Sequence, residues 1–392
     1  MGENVIKPGD YVIVTRQGYT KLHKMKEFGN LNLGSFNVKM DNCVGEKYFT
    51  TFQMKNTHNK RQYELEKVEE INAATNLNPE KSGSDNRNII NDGQSQTLTR
   101  DEIDKLKEQE LSSNTIVEHL INNSRTFEMK TEFSQEKYIK KKEKKYFEYI
   151  QIRKPTIRLL AQMFYRQDPI KVLGIRIDDL SQILTYANIH SDGNHLLYDS
   201  GTSGLMTASI MNAIGANTAG KLIHMHPGNE CQKNAFIAMQ FPQEQTERCV
   251  NVNVYSVLRH FYQKNDEPAT KKAKLDEKKQ HWQIENEKAC EVLNEKADSL
   301  IIVPKEHPLN IVKELMVFLK PGRNFVVFST VKEPLMDLFL YLRSRTDVVA
   351  IKLSNSFLRN YQILPERTHP HVNMTTGGFI LSATLLNNIV VH

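Results

Sequence analysis

His195-Leu196-Leu197-Tyr198-Asp199-Ser200-Gly201-Thr202-Ser203-Gly204-Leu205 joins an apolar strand, His195–Tyr198, to a turn with two glycines and then to the apolar pattern of a helix, Gly204–Ile214. Nucleotide-binding α/β sheets are built from such units. The glycines let a ligand approach the backbone, and the helix N–H groups face it. The pattern continues outward. Candidate strands Lys221–Met225, Leu300–Val303, Phe325–Phe328 and Val348–Leu353 alternate with candidate helices Gln232–Met239, Leu309–Leu319 and Leu335–Arg343. That alternation predicts a parallel sheet with crossover helices over 155–392. A polar, basic stretch at 263–297 interrupts the series and reads as an insertion.

The turn meets only part of what a nucleotide cofactor requires. An acidic side chain should end the next strand to hold ribose hydroxyls. That strand runs Leu222-Ile223-His224-Met225-His226-Pro227-Gly228, without a carboxylate. Gly201 and Gly204 then read as a tight turn between sheet and helix. The strand Leu300–Val303 runs into Pro304-Lys305-Glu306-His307-Pro308. A catalytic carboxylate belongs at that strand end, yet Asp298 lies at the opposite one. Glu306 would have to swing in. His224/His226 and His369/His371 are HxH pairs without a Cys or acidic partner at metal spacing, so no metal site is expected. No Ser-His-Asp or Cys-His arrangement stands out.

Residues 1–70 read as a small antiparallel β-barrel, with short runs at Tyr11–Val14, Leu33–Met40, Tyr48–Met54 and Tyr63–Val68 between Gly and Asn clusters. Residues 71–154 read as a linker and a basic helical segment. Thr99-Arg100-Asp101-Glu102 fits a capping box, and Ile103, Leu106, Ile116, Val117, Leu120 and Ile121 give two short helices their apolar faces. A third helix is expected from about Ser134, a strand at Tyr146–Ile152, and a further helix after Pro155.

In 392 residues, 39% hydrophobic and 25% charged, collagen-like, disulfide-scaffold and wholly disordered classes are excluded. No apolar run approaches the roughly 18 residues that span a bilayer, and from Met1-Gly2-Glu3-Asn4 no secretory signal is expected. Four dispersed cysteines suggest free thiols in a reducing interior. Of the net charge of +6, a surplus of five sits in 131–160. Its centre holds six lysines against Glu143, so several remain for an external polyanion such as nucleic acid, with tyrosines to stack on bases. A solvated helix face or an import signal is the plainer reading of such a run. Pro268–Asp276, with Lys271, Lys272 and Lys274, reads as an exposed loop that suits either a nuclear-import signal or a merely solvated surface.

Three long segments carry a resemblance. Asp85-Asn86-Arg87-Asn88-Ile89-Ile90-Asn91-Asp92-Gly93-Gln94-Ser95-Gln96 is the first. Lys137-Tyr138-Ile139-Lys140-Lys141-Lys142-Glu143-Lys144-Lys145-Tyr146 is the second. The third is Leu358-Arg359-Asn360-Tyr361-Gln362-Ile363-Leu364-Pro365-Glu366-Arg367-Thr368-His369-Pro370-His371. They resemble the non-catalytic subunit of the eukaryotic tRNA (adenine-58-N1)-methyltransferase, and the likeness extends to Met374-Thr375-Thr376-Gly377-Gly378-Phe379. The resemblance implies an N-terminal β-barrel followed by a methyltransferase-like Rossmann domain. It implies assembly with a homologous catalytic subunit, two copies of each in a heterotetramer, acting on tRNA in the nucleus. S-adenosylmethionine would be bound by that partner. In catalytic members the turn reads acid-x-Gly-x-Gly-x-Gly; here Asp199 and Gly201 are kept, and Ser203 and Leu205 replace the later glycines, with Leu205 directed towards the cofactor's place. No cofactor, catalytic or metal-binding residue is then expected in this chain, which is not an enzyme by itself. A self-sufficient methyltransferase with a divergent cofactor loop is the alternative.

On that resemblance the tRNA contacts are expected from Asn86, Arg87, Asn88, Asp92, Gln94, Ser95 and Gln96, and from Lys137, Tyr138, Lys140, Lys141, Lys142, Lys144, Lys145 and Tyr146. Arg166 and Lys171 extend the patch. Arg359, Asn360, Tyr361, Arg367, His369 and His371 form a second polar cluster, suited to RNA or to a subunit interface.

Overall fold

The computed structural model describes residues 4–16, 18–57, 61–68, 82–87, 89, 95–108, 113–146, 149–263, 280–363 and 368–387. The chain divides into two compact units, Met1–Lys154 and Pro155–His392.

The first unit is built on strands β1 (Tyr11–Arg16), β2 (Tyr19–Lys24), β3 (Asn30–Leu33), β4 (Phe36–Lys39), β5 (Thr51–Asn56), β6 (Gln62–Val68) and β7 (Tyr149–Arg153), in the order β2-β1-β7-β5-β6-β4-β3. The Lys21 ammonium on one edge strand donates to the Asn32 carbonyl on the other (2.7 Å), so the sheet curls nearly closed. Alternating Val12, Val14, Leu31, Leu33, Phe52, Met54, Ile150 and Ile152 fill its interior. The barrel is not wholly antiparallel as expected, because β4 and β6 pair in parallel. The run Leu33–Met40 is a hairpin turn followed by β4 rather than one strand, as Gly34 adopts a positive φ of 64° between β3 and β4. β2 escapes the sequence reading because an edge strand alternates weakly. β7, from the segment read as linker, pairs with both β1 and β5 and places residues 71–154 in the same unit as the barrel.

Among the described residues of this unit are also the helices α1 (Arg100–Glu108), α2 (Ser113–Asn122) and α3 (Glu132–Tyr146). The capping box forms as read: the Thr99 amide donates to Glu102 Oε2 (2.8 Å) and the Glu102 amide to Thr99 Oγ1 (3.3 Å). Ile116, Val117, Leu120, Phe127 and Ile139 form a small core between these helices.

The second unit opens with α4 (Ile157–Gln167), capped by Thr156, and α5 (Ile177–Tyr186). Its sheet contains β8 (Asn194–Asp199), β9 (Lys221–His226), β10 (Cys249–Asn253), β11 (Ala297–Val303), β12 (Leu319–Ser329), β13 (Val348–Ile363) and β14 (Thr368–Leu385), in the order β10-β9-β8-β11-β12-β14-β13. The first five pair in parallel; β14 runs antiparallel to β12 and β13. Helices α6 (Leu205–Ile214), α7 (Asn234–Met239), α8 (Gln243–Glu247), α9 (Val254–Gln263), α10 (His281–Glu295), α11 (Pro308–Leu315) and α12 (Glu333–Arg343) make the connections. The stretch 263–297 is not wholly an insertion: α10 buries Ala289, Cys290, Val292 and Leu293 in the main core and serves as the crossover between β10 and β11. Residues 264–279, including the basic cluster, lie outside the described residues.

Candidate nucleic-acid interface and a degenerate cofactor turn

In an open α/β sheet, ligands bind outside the carboxyl ends of the strands where the order reverses. Here that point lies between β8 and β11, whose ends pair Asp199 with Val303. The turn after β8 is already satisfied internally. Asp199 Oδ1 accepts from the Gly201 and Thr202 amides (2.8 and 2.9 Å), and Asp199 Oδ2 from the Thr202 hydroxyl (2.5 Å). The Ser203 amide donates to Gln232 Oε1 (2.8 Å), and a Cβ placed on Gly201 would lie 3.1 Å from Gln232 Nε2. Ser203 sits at φ 55°, a left-handed conformation suited to glycine, and its hydroxyl donates to the Lys171 carbonyl (3.0 Å). Amides that would face a cofactor's charged groups are thus engaged by Asp199 and Gln232. Leu205 is fully buried; the side chain against the turn is Gln232.

β9 ends in His226, whose Nδ1 meets the Gly228 carbonyl (2.8 Å), where a ribose-binding carboxylate would stand. Its neighbour His224 is 2% exposed, and its Nδ1 lies 3.1 Å from Thr207 Oγ1, 3.0 Å from Asn251 Oδ1 and 3.2 Å from Cys231 Sγ. This Cys–His contact was invisible in the sequence, because Cys231 reaches β9 only through the fold. It is not an activated nucleophile: burial pushes the Cys231 thiol up to about 12, so it stays protonated. Burial likewise drives the His224 imidazole towards its neutral form, against the attraction of Asp199. Among the described residues no group of three or more His, Cys, Asp or Glu side chains is placed to hold a metal. Taken together, the donor set does not fit S-adenosylmethionine.

Glu306, displaced by sequence from the end of β11, does swing in. Its Oε2 accepts from Ser200 Oγ (2.6 Å) and from the Tyr198 hydroxyl (3.3 Å). Beside it a cleft of about 350 Å³ is lined by Leu173, Lys305, Glu306, His307, Phe328 and Thr330. Asp298 stays at the far end of β11, paired with Lys320 (2.9 Å) and Arg323 (3.2 Å).

His195, at the amino end of β8, is fully buried between Ser299 Oγ (2.8 Å) and the His190 carbonyl (2.9 Å), and burial lowers its imidazole to about 4. The unfolded chain takes up that proton near pH 6.5, the folded chain only near 4. Stability is therefore intact above pH 6.5 and falls between these values, by up to about 3 kcal/mol. We expect His195→Gln to flatten this slope in urea unfolding at pH 7 and pH 5; an unchanged slope would assign it to other groups.

The basic helix is assembled from the motifs that carried the resemblance. Asn86 Oδ1 accepts from the Thr131 amide (3.0 Å), and its Nδ2 donates to Thr131 Oγ1 (3.0 Å) and Ser134 Oγ (2.7 Å), anchoring the Asp85–Arg87 loop to the start of α3. Gln96 Nε2 donates to the Leu120 carbonyl (2.9 Å), and the Ser95 carbonyl accepts from the Arg125 amide (2.9 Å). Tyr138 packs its ring 5.5 Å from Phe127, with the Lys142 ammonium 5.1 Å over it. All four make contacts within the helical cluster. Lys137 and Lys141 are exposed on α3, and Arg87 is exposed with its Nε on Asp85 (2.6 Å). Lys140, Lys144, Lys145 and Tyr146 are described only as positions on α3. Asn88, Asp92, Gln94 and Arg367 lie outside the described residues.

In the second unit, Arg166 is exposed on α4 and Lys171 just beyond it. Arg359, Asn360, Tyr361, His369 and His371 lie on a β13–β14 ribbon that continues past the sheet: β14 pairs with β12 only over Phe379–Thr384, whereas β13 and β14 pair down to Ile363 and Thr368. This ribbon leaves Phe357, Tyr361 and Ile363 exposed.

The Gcd10p family model matches residues 5–287. A curated mouse protein, "tRNA (adenine(58)-N(1))-methyltransferase non-catalytic subunit TRM6", is 31% identical over 97% of this chain and 88% of its own length. The chain belongs to the Gcd10p family. A Dictyostelium discoideum relative of the same descriptive name is 30% identical over 97% of this chain and 79% of its own. Among solved structures, a SAM-dependent O-methyltransferase of Thermotoga maritima superposes with a TM-score of 0.53 at 14% identity, covering 98% of this chain and 95% of that one. Its likeness establishes a methyltransferase-type fold for this Gcd10p-family chain. No described helix is long and apolar enough to cross a membrane.

Proposed function

We propose that this chain is the non-catalytic, tRNA-binding subunit of the enzyme that makes 1-methyladenosine at position 58 of tRNA. The observation that carries the reading is the occupied turn: Asp199 and Gln232 take the amides of Gly201, Thr202 and Ser203, while the relatives' names describe non-catalytic subunits. Support for the RNA role comes from the exposed Lys137 and Lys141 on a helix braced by the surrounding motif residues. Extruding a structured loop's base costs a few kcal/mol, and a subunit that grips phosphates offsets that cost. In this reading a homologous subunit binds S-adenosylmethionine and performs the transfer, with two copies of each in the assembly. The exposed ribbon of β13 and β14 suits contact with such a neighbour, and Pro268–Asp276 suits import into the nucleus.

The test is co-expression with the catalytic partner. We expect the two chains to co-purify, tRNA methylation to fall to background when this chain is omitted, and calorimetry on this chain alone to register no S-adenosylmethionine binding. Micromolar binding, or methyl transfer by the chain alone, would instead establish the self-sufficient alternative.

A further inference from the structure

Two phenylalanines of the barrel hold left-handed turn positions with much of their surface in water. Phe28, in the turn between β2 and β3, is 88% exposed at φ 54°; Phe49, before β5, is 53% exposed at φ 72°. Positive φ forces a Cβ against the backbone, and for a bulky side chain it is a genuine outlier. Normally the burial of a large ring would offset that strain, but here Phe28 lies almost wholly in water and Phe49 about half so. Strain retained without a packing return points to function.

The two turns meet at one end of the barrel. The Asp10 carbonyl accepts from the Met25 amide (2.8 Å), at the start of the turn that holds Phe28. Its carboxylate accepts from the Tyr48 hydroxyl (2.9 Å), next to Phe49. The Phe49 amide donates to the Ile152 carbonyl (2.7 Å) at the end of β7, and the Lys154 ammonium lies 6.0 Å over the Tyr48 ring. Lys26, Lys47 and Lys154 are exposed here, and none forms an ion pair among the described residues. Exposed aromatic faces among unpaired cations are the chemistry of single-stranded nucleic-acid binding: rings stack on bases of any sequence while lysines neutralise the phosphates. A protein partner would bury the rings but leave the three ammonium groups to be desolvated.

We propose that this end of the barrel is a second RNA contact, where Phe28 and Phe49 stack on unpaired bases of the bound tRNA and Lys26, Lys47 and Lys154 hold the flanking phosphates. The site rests on the tRNA-binding reading above and adds to it a preference for unpaired nucleotides. It lies outside all the segments that carried the resemblance.

The test uses the full chain co-purified with its catalytic partner, with a tRNA transcript and a blunt RNA duplex of similar length as probes. Phe28→Ala/Phe49→Ala is expected to weaken tRNA binding by about 25-fold or more, since each of the two stacked bases contributes at least about fivefold, and to leave duplex binding unchanged. Phe28→Trp should restore affinity, because stacking survives that change. Phe28→Gly should bind more weakly yet melt no lower than the parent, because glycine relieves the strain. An equal loss for duplex and tRNA, a lower melting temperature for Phe28→Gly, or loss of the catalytic partner rather than of RNA would each overturn the proposal. If Lys137→Glu/Lys141→Glu weakens binding and the phenylalanine variants do not, this site falls and the tRNA-binding reading stands. If the parent complex binds no tRNA, both fall.

Discussion

Replacing Arg176 with alanine is expected to cost the second unit about 3–5 kcal/mol, the loss that follows removal of one partner from a buried ion pair. Arg176 is 3% exposed. Its Nε and Nη2 grip Asp178 (2.9 and 2.5 Å), and Nη2 also reaches Ser356 Oγ (3.1 Å) and the Ser356 carbonyl (3.3 Å) on β13. Ser356 in turn donates to Asp179, which is fully buried and accepts from the Arg176 amide (3.2 Å). Burial pushes the Asp179 carboxyl up, and only this network keeps it supplied with donors. Without the guanidinium, the partly exposed Asp178 and the buried Asp179 lose their shared cation, and the tie between α5 and the base of the β13–β14 ribbon is reduced to the Ser356–Asp179 hydrogen bond. Urea unfolding checks this; a change below about 1 kcal/mol would mean that the network is dispensable. Gly377 belongs to the same device. A Cβ there would lie 2.7 Å from Arg176 Nη2 and 2.9 Å from Asp179 Oδ1, while one on Gly378 would strike the Phe328 ring.

Reversing the exposed face of α3 is the second large effect. Lys137 and Lys141 are four residues apart, so they project from one side of the helix, and both are exposed. In the assembled complex, Lys137→Glu/Lys141→Glu should weaken tRNA binding by about 10- to 100-fold near physiological salt and lower the salt slope by about two, one for each phosphate no longer neutralised. Folding should change by less than about 0.5 kcal/mol, as for surface substitutions generally. Affinity and salt slope indistinguishable from the parent would leave this run as a solvated face. Tyr138→Ala serves as the contrast: its ring lies between Phe127 and the Lys142 ammonium, so it should lower the melting temperature.

Much of the candidate site was legible because its signals are local. The capping box at Thr99 reads from four residues, and it forms as read. The strand-turn-helix at Asp199 was legible for the same reason. Illegible were the internal partners of Asn86 and Gln96, since a polar side chain in a loop does not show which distant element it will bond until the chain is folded. Gln232 carries no local signal, because nothing in its neighbours shows that it returns to the turn at Ser203.

By itself, then, the amino-acid sequence determined the α/β alternation, the two-glycine turn without its ribose acid, the concentration of lysine near residue 140 and, through three long motifs, the family. Each is a property of neighbours in the chain: periodicity, turn chemistry and charge density act over a few residues. Only the tertiary structure decided that β7 completes the barrel, that Asp199 and Gln232 occupy the turn's amides, and that Asn86 braces the basic helix. It also brought Phe28, Phe49 and three lysines to one barrel end. Those outcomes depend on which distant groups satisfy one another's hydrogen bonds and which apolar faces share a core, and residues far apart in the chain settle that only once it has closed upon itself.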